Sequence, residues 1–407
     1  MDFGFAPSEE VFRTELRDWL GRELPLHRAE WPATDDEFTL HPDRSFDACL
    51  AWHRRLHQGG WVGVAWPREY GGRGAGLVEQ MLFQEEMVRA GAPAGVNTIG
   101  LMLAGPGIME WGTEAQRRRF LPPILAADEI WCQGFSEPGA GSDLASLRTG
   151  AVLDGDTFRV SGQKVWTSNA HRSHWCILLV RTDPGAPRHE GISCLLVDMR
   201  SPGITVRPLV QLTGDAEFNE VFFDDVRVPR DHLLGPLHGG WKVAMTVLMY
   251  ERTGLGNQTS LHHFTRCLLD LARRTPRADG SAAPGSPASP ASKDPVTRQA
   301  LAQCWIETEA LRLTSLRSVT RRLRGEPPGP EGSVLKLAFT DTYVRMAETA
   351  AGLLGVRGQL WRESPRAPDG GRWAFQSLFA RRFAIAGGTS EIQRNIIGER
   401  VLGLPRS

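Results

Sequence analysis

Three blocks of different hydrophobic spacing follow one another along the chain. In the first and last blocks apolar residues recur every three to four positions, which predicts amphipathic helices. In the middle block they alternate with polar residues or form short runs such as residues 175–180 (WCILLV), bounded by Gly, Asp and Pro, which predicts strands. The pattern therefore predicts an α+β protein with an N-terminal all-α domain (1–128), a central β-domain (129–235) and a C-terminal all-α domain (236–407).

Polar residues mark where several of the predicted helices begin. Ser8 precedes the apolar stripe of the first helix and is predicted to cap it, and Thr113 has the same position before residues 114–127. Thr389 or Ser390 is predicted to cap the last helix. The short strands of the middle block, with turn residues between them, favour an antiparallel barrel or sandwich.

Three stretches depart from this regular spacing. Residues 97–109 (NTIGLMLAGPGIM) are almost entirely apolar, which predicts a core helix and leaves open that it also lines a pocket for an acyl chain. Residues 275–296 are rich in Pro, Ala, Ser and Gly and are interpreted as a flexible surface insertion, since such a composition does not pack a core. The glycine-rich residues 59–74 lack the spacing of a phosphate-binding loop and are interpreted as turns.

Composition and charge narrow the class of partner. The 407 residues include 47 Lys and Arg and 47 Asp and Glu, so the formal net charge is zero. Because proteins that bind nucleic acid or anionic membranes carry an excess of positive charge, neither is expected as a partner. The six cysteines contain no CxxC pair, which favours reduced thiols. We expect a cytoplasmic protein without a signal peptide, a membrane span or a metal site.

The candidate chemistry lies at two places in the middle block. Residues 136–143 (SEPGAGSD) form a loop in which Pro138 fixes the backbone and two glycines permit turns that other residues avoid. Successive N–H groups in such a turn, with serine hydroxyls beside them, suit an anion or a polarised heterocycle. Residues 163–169 (QKVWTSN) place an indole and two hydroxyls at the end of a strand. Each motif alone is compatible with a surface turn or with rim packing; together they favour a flat, hydrogen-bonding cofactor.

The two motifs together resemble the flavin-binding signature of the acyl-CoA dehydrogenase family. The resemblance implies FAD as the cofactor, with Trp166 packed on the isoalloxazine ring and the Ser168 hydroxyl near its N5 atom. It also implies that Phe135 and Ser136 contact the pyrimidine side and that Ser142 lies near both the FAD phosphates and the pantetheine arm of the substrate. Four further residues are assigned to the cofactor by the same resemblance: Gly141, Thr167, Thr389 and Glu391.

The order of helices, β-domain and helices is similar to the fold of this family over nearly the whole chain. The family oxidises an acyl-CoA to the trans-2-enoyl-CoA: a carboxylate removes the α-proton, and the β-hydrogen leaves as hydride to flavin N5. Many members carry that carboxylate as a Glu near the C-terminus, where this chain has Gly387. A smaller branch, which includes isovaleryl- and long-chain-type enzymes, carries it on the helix after the β-domain, where this chain has Glu251 followed by Arg252.

Glu251 is therefore the predicted base, although a glutamate on a helix is more often a solvated carboxylate. The backbone N–H of Gly387 is predicted to polarise the thioester carbonyl, where negative charge develops during the reaction. The resemblance assigns five residues to the substrate: Ser142, Met249, Tyr250, Arg252 and Gly388.

One departure from the family concerns the part of the FAD site that a neighbouring subunit donates. Members usually offer Arg-x-x-Phe-Gly and Gln-x-x-Gly-Gly-x-Gly stretches, whereas residues 273–276 here are RRTP, and residues 352–358 are GLLGVRG with Gly in place of Gln. The C-terminal residues 391–406 resemble actinobacterial-type members that act on bulky, sterol-derived acyl-CoAs as heteromers. The resemblance implies either a homo-oligomer, in which Arg273, Arg274 or Arg357 replaces the missing contacts, or an α2β2 heteromer.

Three functions stay open from the sequence. The first is FAD-dependent dehydrogenation of an acyl-CoA or an acyl-carrier thioester, with an electron-transfer flavoprotein as the implied acceptor. The second is a non-catalytic or FAD-sharing subunit of a heteromeric enzyme, against which Glu251 argues. The third is other flavin chemistry, such as that of a monooxygenase or a desulfinase, which needs no base at either position. The acyl group itself is not specified by the sequence.

Overall fold

The computed structural model of the protein describes residues 4–32, 46–252, 257–277, 289–326, 329–362 and 364–405, with backbone alone at 250–252 and 257–258. Within these residues, eleven α-helices and eight strands follow the predicted order of helices, sheet and helices. The helices are α1 (Pro7–Glu30), α2 (Phe46–Gln58), α3 (Leu77–Ala90), α4 (Gly105–Trp111), α5 (Glu114–Ala126), α6 (Gly240–Arg252), α7 (Asn257–Arg274), α8 (Pro295–Leu323), α9 (Glu331–Leu354), α10 (Arg372–Phe379) and α11 (Ser390–Arg400). The strands are β1 (Trp131–Gly134), β2 (Gly150–Asp154), β3 (Thr157–Ser168), β4 (Trp175–Arg181), β5 (Ile192–Asp198), β6 (Ile204–Leu209), β7 (Phe218–Pro229) and β8 (Leu233–Leu234).

The start of the first helix differs from the prediction that Ser8 caps it. The helix begins at Pro7, and the N–H of Ala6 donates to the carboxylate of Glu9 (2.7 Å). Proline at the first helical position already has the φ of a helix and has no N–H to satisfy, which explains the earlier start. Thr113 caps α5 as predicted, and Thr389, one of the two predicted alternatives, caps α11.

The eight strands of the described chain form one sheet in the order β6-β7-β3-β2-β4-β5-β8, with β1 beside β4. The strand path does not close on itself, so the central domain is an open sheet and not a closed barrel. Most neighbouring strands are antiparallel as predicted, but β1 and β2 run parallel to β4. Parallel neighbours require a long connection. Residues 135–174, which include the SEPGAGSD loop, connect β1 to β4.

The most fully buried strands, β4 and β5, are apolar on both faces. Trp175 and Ile177 contribute to a core shared with the N-terminal helices and α6, whereas Cys176 and Leu178 contribute to a second core shared with β3 and β7. Both strands are buried over nearly their whole length. Burial on both faces explains why these strands appear in the sequence as continuous apolar runs.

The predicted core helix that begins near Asn97 contains a widened turn. Gly100–Ala104 is π-helical, and α4 follows it directly. The buried Asn97 side chain anchors the start of this turn: its amide donates to the carbonyls of Ile124 and Glu129 (3.0 Å each), and its oxygen accepts the N–H of Trp131 (3.0 Å). Such π-turns are frequent at functional sites, and this one packs against α6.

The C-terminal helices α7, α8, α9 and α10 enclose an apolar core of their own. The flanks of the insertion predicted at 275–296 are paired: the N–H of Arg277 donates to the carbonyl of Ser289 (2.9 Å), and that of Ala291 to the carbonyl of Thr275 (2.7 Å). Residues 278–288, between these flanks, lie outside the described range. Across the described parts of the chain, no helix combines the length and the apolar character that crossing a bilayer requires.

A buried ion pair ties the SEPGAGSD loop to β3. Lys164 is completely buried, and its ammonium group donates to the carboxylate of Glu137 (2.8 Å) and to the carbonyl of Phe135 (3.1 Å). The same carboxylate accepts the backbone N–H groups of Arg148 (2.7 Å) and Thr149 (2.8 Å). The loop is therefore attached to the sheet interior at one carboxylate that receives three donors.

Opposing effects act on the protonation of this pair. Burial alone raises the pKa of Glu137, but the charge of Lys164 and the hydrogen bonds from Lys164, Thr149 and Arg148 outweigh burial, and this pKa lies below its ordinary value. Burial also lowers the pKa of Lys164, against the attraction of Glu137. The three donors on the carboxylate favour the ionised pair at neutral pH.

Replacing Glu137 by Gln is expected to destabilise the protein by about 3–5 kcal/mol, because the Lys164 ammonium group then stays buried without its counter-charge. Denaturant unfolding followed by circular dichroism measures the loss. The control is Glu220→Gln on β7, where the carboxylate accepts from the Gln163 side chain (3.0 Å) and where the expected loss is about 1 kcal/mol. Equal stability of Glu137→Gln and the wild type would contradict the assignment.

The pH dependence gives a second measure of the same pair. Because the folded pKa of Glu137 is lowered, its stabilisation is complete above the unfolded pKa of about 4.3 and is lost as the pH falls through the folded pKa. The difference in unfolding free energy between the wild type and Glu137→Gln should therefore shrink at acid pH. A difference that stays constant would show that charge is not its source.

Candidate functional site

Backbone bonds bring the two predicted motifs side by side. The carbonyl of Ser136 accepts the N–H of Val165 (2.9 Å), so the loop begins alongside β3. Glu137 and Ala140 exchange two backbone hydrogen bonds (3.0 Å each) and close a tight turn. The turn sends the Glu137 side chain inward and leaves residues 141–142 exposed. The SEPGAGSD loop and the QKVWTSN strand end thus form one continuous surface.

An extra residue in β3 turns Trp166 to the surface. Lys164 pairs with Val221 on β7 but Thr167 pairs with Asn219, so three steps along β3 match two steps along β7. Such a bulge reverses the face that each following side chain takes. Trp166 is accordingly 60% exposed, whereas Thr167 is buried. Without the extra residue, the indole would share the inward face with Lys164. Residues 165–168 are called the bulged strand end below.

The bulge holds Trp166 in a backbone conformation that L-residues rarely adopt. Its φ is +60°, and conformations of this kind cost about 1–3 kcal/mol, which the surrounding structure must offset. The side-chain amide of Asn219 donates to the carbonyl of Thr167 (3.0 Å), and the N–H of Asn169 donates to the carbonyl of Glu217 (2.7 Å). These bonds to the start of β7 fix the strand end on either side of the indole.

Several hydroxyl groups around the bulged strand end have no hydrogen-bond partner among the described residues. Within the described residues, the hydroxyls of Ser136, Ser142 and Ser168 make no hydrogen bond, and neither does the buried hydroxyl of Thr167. Together with the exposed indole they provide a flat apolar surface bordered by donors and acceptors. A flavin ring has a flat apolar body with a polar edge, so the residues present fit the predicted cofactor at its ring end.

The two glycines predicted to border the thioester lie in a tight turn, residues 385–388, called the C-terminal turn below. Their φ values are 66° for Gly387 and 91° for Gly388, a region that favours glycine. The Lys336 ammonium donates to the carbonyls of Gly388 and Phe383 (2.8 Å each), and the Gln393 amide donates to that of Gly387 (3.0 Å). The Gly387 N–H has no acceptor among the described groups, so it is available to a ligand.

Thr389 and Glu391, which the resemblance assigns to the cofactor, directly follow this turn. The Thr389 hydroxyl accepts the N–H of Ile392 (3.3 Å) as the cap of α11. The Glu391 side chain is 77% exposed on the first turn of that helix. Thr389 therefore has a structural role here, and a role of either residue toward FAD stays a prediction.

The predicted base lies on α6, whose start is pressed against β5. A Cβ atom at Gly240 would lie 2.4 Å from the carbonyl carbon of Ser193, so this position requires glycine. Val243 and Val247 are fully buried in the core shared with α4 and the π-turn. Position 251 follows Val247 by four residues and therefore shares its face of the helix.

The end of α6 lies at the limit of the described residues. α6 is described as far as Arg252, and residues 253–256 are outside the described residues. The side chains of Tyr250, Glu251 and Arg252 are outside it too, so their roles stay predictions. Met249, predicted to contact the substrate, is 56% exposed.

Arg382, three residues before the C-terminal turn, contacts two residues that neighbour the bulged strand end. Its Nη1 atom donates to the Glu217 carboxylate (3.2 Å), and its guanidinium carbon lies 5.2 Å from the centroid of the Phe218 ring. The Phe218 ring meets the Trp166 indole edge to face, with 6.1 Å between centroids. A series of contacts therefore joins the two surfaces that were predicted to enclose the cofactor and the substrate.

The residues that hold these surfaces together were not predicted, although one of them carries a signal in the sequence. Lys164 continues the inward series of Phe158 and Val160 along β3, and a lysine at an inward position requires a buried partner. Asn219 and Arg382 carry no comparable signal, because their partners are fixed only by the tertiary structure.

Models of one protein family match nearly the whole chain. The acyl-CoA dehydrogenase N-terminal domain matches residues 6–128, the middle domain 132–226 and the C-terminal domain 238–402. The chain is 43% identical over 401 residues to acyl-CoA dehydrogenase IpdE1 of Mycobacterium tuberculosis, with 98% of each chain covered.

Solved structures agree with this match. The chain superposes on one chain of the ChsE4-ChsE5 complex from Mycobacterium tuberculosis with a TM-score of 0.84 and 31% identity. The match covers 100% of this chain and 100% of that chain. It is also similar to the Tcur3481-Tcur3483 steroid ACAD, with a TM-score of 0.83, 31% identity and 100% coverage of both chains. The chain belongs to the acyl-CoA dehydrogenase family of flavoprotein oxidoreductases, and its relatives include mycobacterial and steroid-acting members.

Proposed function

We propose that this protein, with FAD bound, oxidises an acyl-CoA to the trans-2-enoyl-CoA and that Glu251 removes the α-proton. The observation that carries the proposal is the bulged strand end, where Trp166 is exposed at positive φ beside unpaired hydroxyls. Strained residues of this kind persist where their position serves function. FAD, when bound at this surface, supplies the acceptor for the β-hydrogen, which leaves the substrate as hydride.

The position of residue 251 supports the assignment of the base. It lies one helical turn beyond Val247, on the face of α6 that packs against α4 and the π-turn. The other position at which the family carries its base is Gly387, which has no side chain. Because the thioester α-proton is removed only with a base in place, Glu251 is the carboxylate that satisfies this requirement.

The C-terminal turn is suited to polarise the thioester carbonyl. Lys336 and Gln393 hold its carbonyl groups in place, and the Gly387 N–H has no acceptor among the described groups. A donor held in position in this way stabilises the negative charge that develops on the thioester oxygen without having to reorganise.

We further propose a bulky, sterol-derived acyl group as the substrate class. The similarity to a steroid ACAD over the full length of both chains supports this class. The π-turn Gly100–Ala104 widens the helix that packs against α6, and this apolar helix is the one for which the sequence left open a role in lining an acyl-chain pocket. An electron-transfer flavoprotein is proposed as the acceptor on the family resemblance.

For the assembly we propose an α2β2 heteromer with FAD at the interface between unlike chains. Two of the three arginines considered as replacements are engaged within their own chain: Arg273 pairs with Asp270 (2.7 Å), and Arg274 pairs with Asp369. Arg357 is exposed and is the remaining candidate for a homo-oligomer. The two-chain ChsE4-ChsE5 relative supports the heteromeric alternative.

The protein, alone or with its partner chain, should bind FAD and lose its absorbance at ~450 nm, the band of oxidised flavin, when mixed with a suitable acyl-CoA. Trp166→Ala should weaken FAD binding, because it removes the exposed ring surface. Val152→Ala, at an exposed apolar position on β2, is the matched control. Absence of FAD from the protein under every pairing would refute the proposed function.

Glu251→Gln keeps the shape of the side chain and removes the base, so substrate-dependent flavin reduction should fall by at least ~10²-fold while FAD content stays normal. In that background, Gly387→Glu restores a carboxylate at the alternative position, and partial recovery is expected. The φ of 66° at Gly387 limits this recovery, since it disfavours a side chain. Turnover near the wild-type level in Glu251→Gln would instead favour flavin chemistry that needs no α-proton base.

The chain expressed alone should bind FAD at least ~10²-fold more weakly than the co-expressed pair, because two charge-assisted hydrogen bonds, worth about 1.5–3 kcal/mol each, are missing. Native mass spectrometry and FAD titration measure assembly and affinity. A yellow, active homo-oligomer with one FAD per chain would rule out the heteromer. In that case, loss of FAD affinity in Arg357→Gln would identify the replacement contact.

A further inference from the structure

Arg382 precedes the C-terminal turn, but its side chain extends to the β-domain. Its Nη1 atom donates to the Glu217 carboxylate (3.2 Å) across 165 residues of sequence. Its guanidinium carbon lies 4.6 Å from the centroid of Phe379 and 5.2 Å from that of Phe218. The adjacent Arg381 takes a different direction and pairs with Glu348 (2.8 Å) at the surface. Two consecutive arginines thus make an inner and an outer contact.

The inner contact is partly shielded from solvent. The Glu217 side chain is 9% exposed and the Arg382 side chain 32% exposed, and burial lowers the pKa of Arg382, against the attraction of Glu217. The Nε atom of Arg382 has no partner among the described groups. A partly exposed ion pair contributes little net stability, so stability alone does not account for this arrangement.

Glu217 and Phe218 contact the bulged strand end and the residues beside it. The Glu217 carbonyl accepts the N–H of Asn169 (2.7 Å) and the side-chain amide of Asn219 (3.0 Å). The Phe218 ring meets the Trp166 indole. A shift of these two residues is therefore transmitted to the indole and to the Ser168 hydroxyl beside it.

We propose that Arg382 is a positioning residue that sets the separation between the bulged strand end and the C-terminal turn. It holds Glu217 and Phe218 by charge and by ring contact, and its own backbone leads into Gly387 and Gly388 after four residues. On the proposed function, the bulged strand end would hold the cofactor and the C-terminal turn would hold the thioester. The catalytic consequence rests on that proposed function; the mechanical coupling does not.

The coupling is tested by hydrogen exchange on the protein without FAD. Arg382→Met keeps the apolar stem and removes the charged head. The backbone N–H groups of residues 165–171 and 385–390 should exchange about tenfold faster than in the wild type. Arg381→Gln, the matched control, should leave both segments unchanged, and so should the N–H groups of Arg148 and Thr149, which Glu137 holds, in either variant. Unchanged exchange in Arg382→Met, or an equal increase over the whole chain, would overturn the inference.

A second measurement separates positioning from fold stability. Single-turnover flavin reduction at saturating acyl-CoA should slow by about tenfold or more in Arg382→Met, since misplacement of reacting groups is costly, whereas the apparent substrate affinity should change less. In Arg382→Met the Glu217 carboxylate keeps the amide of Gln211 but loses its counter-charge. Glu217→Gln added to Arg382→Met removes this unbalanced charge and should restore part of the rate. Arg382→Lys, which keeps the charge, should be intermediate.

The outcomes of the two measurements are distinguishable. If wild-type protein shows no flavin reduction with any acyl-CoA, the proposed function fails, and the exchange experiment still decides the coupling. If the wild type reduces its flavin and Arg382→Met does so at the same rate, the positioning role is overturned. If Glu217→Gln deepens the defect of Arg382→Met, the pair does not act through charge, and the inference also fails.

Discussion

The arrangement of the site depends on the cost of burying one lysine. Lys164 occupies an inward position of β3, and an ammonium group is tolerated there only with a paired carboxylate. The SEPGAGSD loop supplies this carboxylate through Glu137, which also receives the N–H groups of Arg148 and Thr149. The loop is therefore held on the strand by charge, and its serines are presented at the surface as a result.

The inward lysine and the outward indole are two residues apart, a spacing that normally places both on one face of a strand. The extra residue in β3 separates them, and the bonds from Asn219 and Asn169 maintain the positive φ of Trp166. Lys164 thus anchors the loop, and Trp166, two residues later, presents its indole at the surface. Arg382 connects the C-terminal domain to this strand end, because its side chain contacts both Glu217 and Phe218.

The sequence predicted those parts of the fold that local patterns determine. The order of helices and strands, the cap at Thr113 and the loop with Trp166 follow from spacing and motif. The prediction that Ser8 caps α1 was wrong, because the helix begins at Pro7, which has no N–H to be capped. The open sheet, the π-turn at Gly100–Ala104 and the contacts of Arg382 were not foreseen, because each is decided by packing between residues distant in the chain. The role of Glu251 stays a prediction from the family resemblance.

The contact between Arg382 and Glu217 also has a consequence for biosynthesis. During translation the β-domain leaves the ribosome well before Arg382 has been added, because about 150 residues separate Arg382 from the end of the β-domain. Domains generally fold as units from the N-terminus, so the sheet and its bulged strand end form while this arginine is still missing. The two surfaces of the site come together only after Arg382 and the C-terminal turn have been added, so a nascent chain that stops short of them has a folded β-domain without a finished site.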